Sequence, residues 1–124
     1  MGSVKDLILL ESPTKKEPGR GRFVFSDRYS VFDWGEMPDH IDQKGAALCI
    51  AAAYFFEKLE KIGLSTHYLG LVEEEQAKEL SQINMPVNIM ETKLFRVLKP
   101  TLTDQGTYNY QIYQQEKGNF LIPL

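Results

Sequence analysis

A helical period running through residues 45–62, closed by a glycine and set between strand-like segments, constrains this chain more than any other feature. Leu48, Ala52, Phe55, Phe56, Leu59 and Ile62 recur at spacings of three and four, while Glu57, Lys58, Glu60 and Lys61 fall mainly elsewhere around the axis. The stripe predicts one amphipathic helix packed across a sheet, with Gly63 as its C-terminal cap. If the Phe55 ring is fully buried there, truncating it to alanine costs about 3–5 kcal/mol.

On either side the pattern changes to strands and turns. Residues 5–11 form a short apolar run that the turn-rich residues 12–19 stop, and residues 22–25 read as the second arm of a hairpin. Residues 66–72 read as a short strand. Residues 73–80 read as a brief polar helix with acids in its first turn, where the helix dipole favours them, and Asn84-Met85-Pro86 breaks it. Residues 87–99 are the longest strand candidate. A turn at residues 100–106, an aromatic strand at 107–114 and a last apolar strand at 119–124 complete the reading. The expected class is α+β, a mostly antiparallel sheet with one main helix packed on a face, in a single domain over residues 1–124.

A chain of 124 residues suffices for one hydrophobic core. Hydrophobic content of 43% and charged content of 25% are those of a folded protein, and no apolar run approaches the ~20 residues that would span a bilayer. Met1-Gly2-Ser3-Val4-Lys5-Asp6 lacks the pattern of a signal peptide, and the single cysteine cannot form an internal disulfide, so a cytoplasmic location and no membrane partner are expected. A net charge of −3 argues against nucleic acid, which calls for a clustered basic surface.

Candidate chemistry gathers around residues 25–45. Arg28 offers a planar fork of donors for phosphate or carboxylate, with the Ser30 hydroxyl two positions on; alternatively Arg28 pairs with Asp27 or Asp33 and braces the loop. Asp33 either orients a turn through backbone N–H groups or acts on a metal through water. Lys44-Gly45 stands before the helix start, where unpaired N–H groups attract anions, so it reads either as a phosphate corner or as a solvated lysine. Asp27, Asp33, Asp39 and Asp42 match no calcium-loop spacing, and His40 and His67 have no metal-ligand spacing, so no metal site is assigned. Cys49 reads as a small core residue. Trp34, Tyr108, Tyr110 and Tyr113 read as packing residues.

The order of these pieces resembles the amino-terminal domain of the SAICAR synthetases, ligases of purine biosynthesis. The family shows Thr-Asp-Arg-x-Ser-Ala-Phe-Asp, Gly-Lys-Gly, Phe-Glu-x-Leu and Gly-Ile-x-x-His. Here stand Ser26-Asp27-Arg28-Tyr29-Ser30-Val31-Phe32-Asp33, Gln43-Lys44-Gly45, Phe56-Glu57-Lys58-Leu59 and Gly63-Leu64-Ser65-Thr66-His67. The resemblance implies an ATP-dependent ligase joining aspartate to carboxyaminoimidazole ribonucleotide, with ATP and magnesium as cofactors. It implies substrate binding by Arg28, Ser30 and Asp33, and ATP binding by Lys44, Gly45, Asn119, Phe120 and Leu121. The family's Gly-Lys-x-Lys-x-Val-Tyr lid over the ATP phosphates is set against residues 9–16, which contain no glycine. This chain alone is therefore expected to be inactive and to hold ATP and magnesium weakly. The alternative is a stand-alone nucleotide-binding or protein-interaction module that kept the fold and lost the activity. The apolar residues 120–124 also allow a homo-oligomer.

Overall fold

A computed structural model of the chain describes residues 4–14, 16–96, 101–102, 104–106 and 108–109. The strands β1 (Lys5–Glu11) and β2 (Gly19–Phe25) form the expected hairpin, β3 (Arg28–Val31) and β4 (Gly35–His40) a second one, and α1 (Lys44–Lys61) follows. After it come β5 (Tyr68–Glu73), β6 (Gln76–Lys78) and β7 (Ile89–Leu94), then the short strands β8 (Thr101–Leu102) and β9 (Tyr108–Asn109). Five strands make one sheet in the order β1-β2-β7-β5-β6, with every neighbouring pair antiparallel. The class is α+β with a mostly antiparallel sheet and one main helix, as its sequence pattern indicates.

The helix is held at both ends by backbone chemistry. Gly63 has φ +94°, and the N–H groups of Gly63 and Leu64 reach back to the carbonyls of Glu60 and Leu59, each at 3.1 Å, in a Schellman closure. At the start, Gly45 lies so close to β2 that a Cβ there would overlap the Phe25 carbonyl oxygen. Glycine is what lets the helix approach the strand this closely.

That approach corrects the predicted stripe. The residues facing the sheet are the small ones, Gly45, Cys49 and Ala53, all buried, with Ala52 and Phe56 packed beside them. Leu48, Phe55, Leu59 and Ile62 lie to one side, with Phe55 65% and Ile62 75% exposed. The large stripe is thus open, and the cost expected for truncating Phe55 does not apply. The core itself is Cys49, Ala53, Tyr68, Leu71 and Met90. Burial of a side chain such as Leu71 or Met90 contributes roughly 1.5–3 kcal/mol.

Two predicted stretches form other structures. Residues 73–80 are not a helix: Glu74 and Glu75 both take positive φ, 52° and 65°, so the chain turns tightly between β5 and β6. The segment between Asp33 and Gln43 contains β4, which pairs back on β3. The predicted strand at 87–99 is confined among described residues to β7.

Carboxylates anchor the connections. Glu73 accepts hydrogen bonds from the backbone N–H of Asn84 (2.9 Å) and of Met85 (3.0 Å) and from Lys78 Nζ (3.0 Å). Those donors, the Lys78 ammonium foremost, hold its carboxyl below the ordinary value of 4.5. Glu57 Oε2 accepts from the Tyr68 hydroxyl at 2.6 Å and from the Leu80 N–H at 2.9 Å, tying α1 to β5 and to the 3-10 turn Leu80–Gln82 after β6. On the sheet face away from the helix, Arg20 and Arg22 alternate with Glu11, Glu91 and Glu75 in a chain of ion pairs across β1, β2, β7 and the β5–β6 turn.

Candidate functional site

The junction of β2, β3 and α1 concentrates the charged groups that the sequence singles out. Asp27 Oδ1 accepts the Gly45 N–H at 2.8 Å and its Oδ2 the Gln43 N–H at 3.3 Å. The helix N-terminus is therefore capped by a carboxylate from outside the helix, which suits its positive dipole end. Lys44 Nζ donates to the carbonyl oxygens of Arg28 at 2.7 Å and Ser26 at 3.2 Å. It fastens the corner rather than standing solvated.

Arg28 is braced as well, by partners other than Asp27 and Asp33. Its Nε donates to Ser26 Oγ at 2.9 Å and its Nη2 to Asp6 Oδ1 at 2.9 Å, with Glu36 Oε1 3.7 Å from Nε. The Arg28 side chain retains 15% exposure. Ser30 sits opposite Glu36 in the β3–β4 hairpin and is exposed. Asp33 lies in the 3-10 turn at the hairpin tip, between Phe32 (100% exposed) and Trp34 (81% exposed). The structure thus brings Arg28, Lys44 and Gly45 into one corner and places Ser30 and Asp33 farther along the hairpin. Asn119, Phe120 and Leu121 lie outside the described residues.

Next to this corner the sheet presents an open apolar face. Pairing sets Lys5 opposite Phe25, Leu7 opposite Phe23 and Leu9 opposite Gly21, so these side chains share the face on which Phe25 meets the helix. A Cβ at Gly21 would stand 2.8 Å from the Leu94 side chain and 3.1 Å from that of Leu7, so Leu94 lies on this face too and the two leucines close over the glycine. Leu7 and Leu9 are exposed. Lys5 Nζ stands 5.4 Å from the ring centroids of both Phe23 and Phe25, held by their negative faces. Strand alternation at Lys5, Leu7 and Leu9 is the sequence signal for this face.

Fold and site define an α+β domain whose antiparallel sheet presents exposed apolar side chains beside a corner of paired charges. The sequence pattern of SAICAR synthetase matches residues 2–93. A protein of Archaeoglobus fulgidus, named as a candidate phosphoribosylaminoimidazole-succinocarboxamide synthase, is 57% identical over 124 residues, all of this chain and 36% of that protein. The phosphoribosylaminoimidazole-succinocarboxamide synthase of Thermoplasma volcanium is 41% identical over 51 residues, covering 41% of the chain and 17% of the relative. That of Methanoregula boonei is 31% identical over 85 residues, covering 67% and 33%. No solved structure matches the chain at a significant level. The chain belongs to the SAICAR synthetase family. It spans about a third of the length of the relative that it matches throughout.

Proposed function

We propose that this chain forms the nucleotide-side part of an ATP-dependent ligase that joins aspartate to carboxyaminoimidazole ribonucleotide, and that the open sheet face receives the adenine of ATP. One observation supports the reading: Leu7 and Leu9 stand exposed on one sheet face with Phe23 and Leu94, and Lys5 lies at its border. An adenine ring laid there removes exposed leucine surface from water, while its phosphates run toward the cations at the strand ends.

In the ligase reaction a carboxylate oxygen of the imidazole ribonucleotide attacks the γ-phosphorus of ATP. The bond to the departing ADP oxygen breaks and an acyl phosphate forms. The aspartate amine then attacks the acyl carbon, phosphate leaves with the C–O electron pair, and the amine gives up a proton to solvent. No protein nucleophile takes part. The residues position charged partners and stabilise the negative charge that develops.

Arg28, with Ser30 and Asp33 on the hairpin, would bind the substrate. Lys44, whose ammonium is engaged by two carbonyls, acts as a positioning residue for Arg28, and Gly45 seats the helix. Among the described residues no three histidine, cysteine or acidic side chains converge to hold a metal ion, so no step is derived through magnesium. No helix among them is long and apolar enough to cross a membrane.

The test is a backbone-amide NMR titration of this chain with ATP. Saturable shifts at Leu7, Leu9, Phe23 and Leu94, with affinity lowered at least fivefold in Lys5→Ala, are expected. Shifts confined to other residues, or none up to about 10 mM ATP, a concentration at which even weak millimolar sites fill, would overturn the assignment.

A further inference from the structure

A second concavity shares none of that platform's residues, although its Lys93 and Phe95 flank Leu94 in the chain. It is a cavity of about 750 Å³ between the β1–β2 loop, the exit of α1 and the end of β7, within the range of small-molecule sites. Phe56, Phe95 and Pro18 supply its apolar surface, and Lys16, Lys93 and His67 its cationic and imidazole groups. The Phe56 ring is fixed on both sides, stacked on Tyr68 at 5.7 Å between centroids and meeting His67 edge-on at 5.0 Å. An aromatic wall is therefore already built. A smaller hollow continues from it past Ser65, Thr66 and Lys93 to Gly63 and Glu60.

The cations distinguish this cavity. Among the described lysines, Lys5 and Lys58 lie over aromatic rings, Lys44 donates to carbonyls and Lys78 pairs with Glu73. Lys16, Lys61 and Lys93 have no partner for the ammonium among described residues, and two of these three line the cavity. The acids nearby are accounted for unequally. Glu60, in the adjoining hollow, accepts the Thr66 hydroxyl at 2.7 Å, whereas Glu17 is the one acid among the described lining residues and is set against two lysines. Two ammonium groups against one carboxylate leave an excess positive charge beside the rings, which favours a ligand with a negative group at one end and a flat ring at the other.

We propose that this cavity binds a small aromatic anion, a ring bearing a phosphate or carboxylate, with the ring against Phe56 and Phe95 and the anion between Lys16 and Lys93. The proposal is independent of the nucleotide platform, and its test reads different residues. Phenyl phosphate and benzoate are titrated into the isotopically labelled chain, with inorganic phosphate and phenol as the two halves of the first. Saturable amide shifts at Ser65, Thr66, His67, Lys93 and Phe95 with the joined molecules, at concentrations at least tenfold lower than with either half, are expected. The ratio of phenyl phosphate to benzoate affinity separates a phosphate from a carboxylate site. The exposed double substitution Lys16→Ala/Lys93→Ala should leave the spectrum folded and raise the dissociation constant at least tenfold. Shifts mapping to Leu7, Leu9 and Phe23, binding no tighter than that of inorganic phosphate alone, or full affinity in the double variant would each overturn the proposal.

Discussion

Helix α1 carries two apolar stripes a quarter turn apart, and the smaller side chains are the ones inside. Cys49 and Ala53 are fully buried, whereas Phe55 and Ile62 remain mostly exposed. Judged by transfer free energy alone the order should be reversed, since a phenyl ring gains more from burial than a methyl group. Distance decides against it. Gly45 sets the helix backbone against the Phe25 carbonyl, and at that separation only small residues fit between helix and sheet. Closeness of approach, more than hydrophobicity, selects the buried face.

The sharpest way to break this comparison is to push the helix away. Gly45→Val would drive a branched side chain into the Phe25 carbonyl, and backbone atoms cannot step aside as a side chain can. A loss of about 3 kcal/mol in folding free energy is expected, the upper part of the usual range for overpacking, read from the urea midpoint. A midpoint unchanged by Gly45→Val would mean that the helix does not sit where the small stripe requires.

Acid should loosen the buried side from its rim. Ile83 and Val87 pack against the core, and the loop between them is pinned by Glu73 through the Asn84 and Met85 N–H groups. Because the folded-state pKa of Glu73 is depressed, its stabilisation is fully present above its ordinary value of 4.5 and is lost as pH falls through the lower folded value. The melting temperature of Glu73→Gln should therefore lie below that of the native chain at pH 7 and converge toward it in acid. A constant difference down to pH 2 would remove the linkage.

The smallest effect belongs to the open stripe. Phe55→Ala should change stability by no more than about 0.5 kcal/mol, the usual range for a surface substitution. Calorimetry showing a loss of several kcal/mol would place the ring inside and reverse the comparison.

Much of the architecture can be read from residue order, because it is written in local chemistry. The Gly63 stop and the β1–β2 hairpin follow from residues near in sequence, and the helix begins one residue earlier than its apolar period suggests. The misread pieces depend on partners far along the chain. Glu73-Glu74-Glu75 looks like a helical first turn until its carboxylate is matched with the N–H groups of Asn84 and Met85, eleven and twelve residues on. Arg28 was legible as an anion-binding group, yet Asp6, the carboxylate that holds it, lies across the sheet in β1. The place of Lys5 is not legible in residue order because it lies in facing Phe23 and Phe25, which only strand pairing brings beneath it.

The seating of Gly45 also limits how this domain can move. With Asp27 holding the first helical N–H groups and Lys44 clasping the carbonyls of Ser26 and Arg28, α1 cannot slide or pivot without carrying the end of β2 with it. Helix and sheet should travel as a single rigid body when a ligand arrives, with the base of the β3–β4 hairpin, tied at Arg28 to Lys44 and Asp6, moving with them and its exposed tip left to swing. Amide exchange would register this as slow opening through residues 44–56 and rapid opening at the Phe32–Trp34 tip.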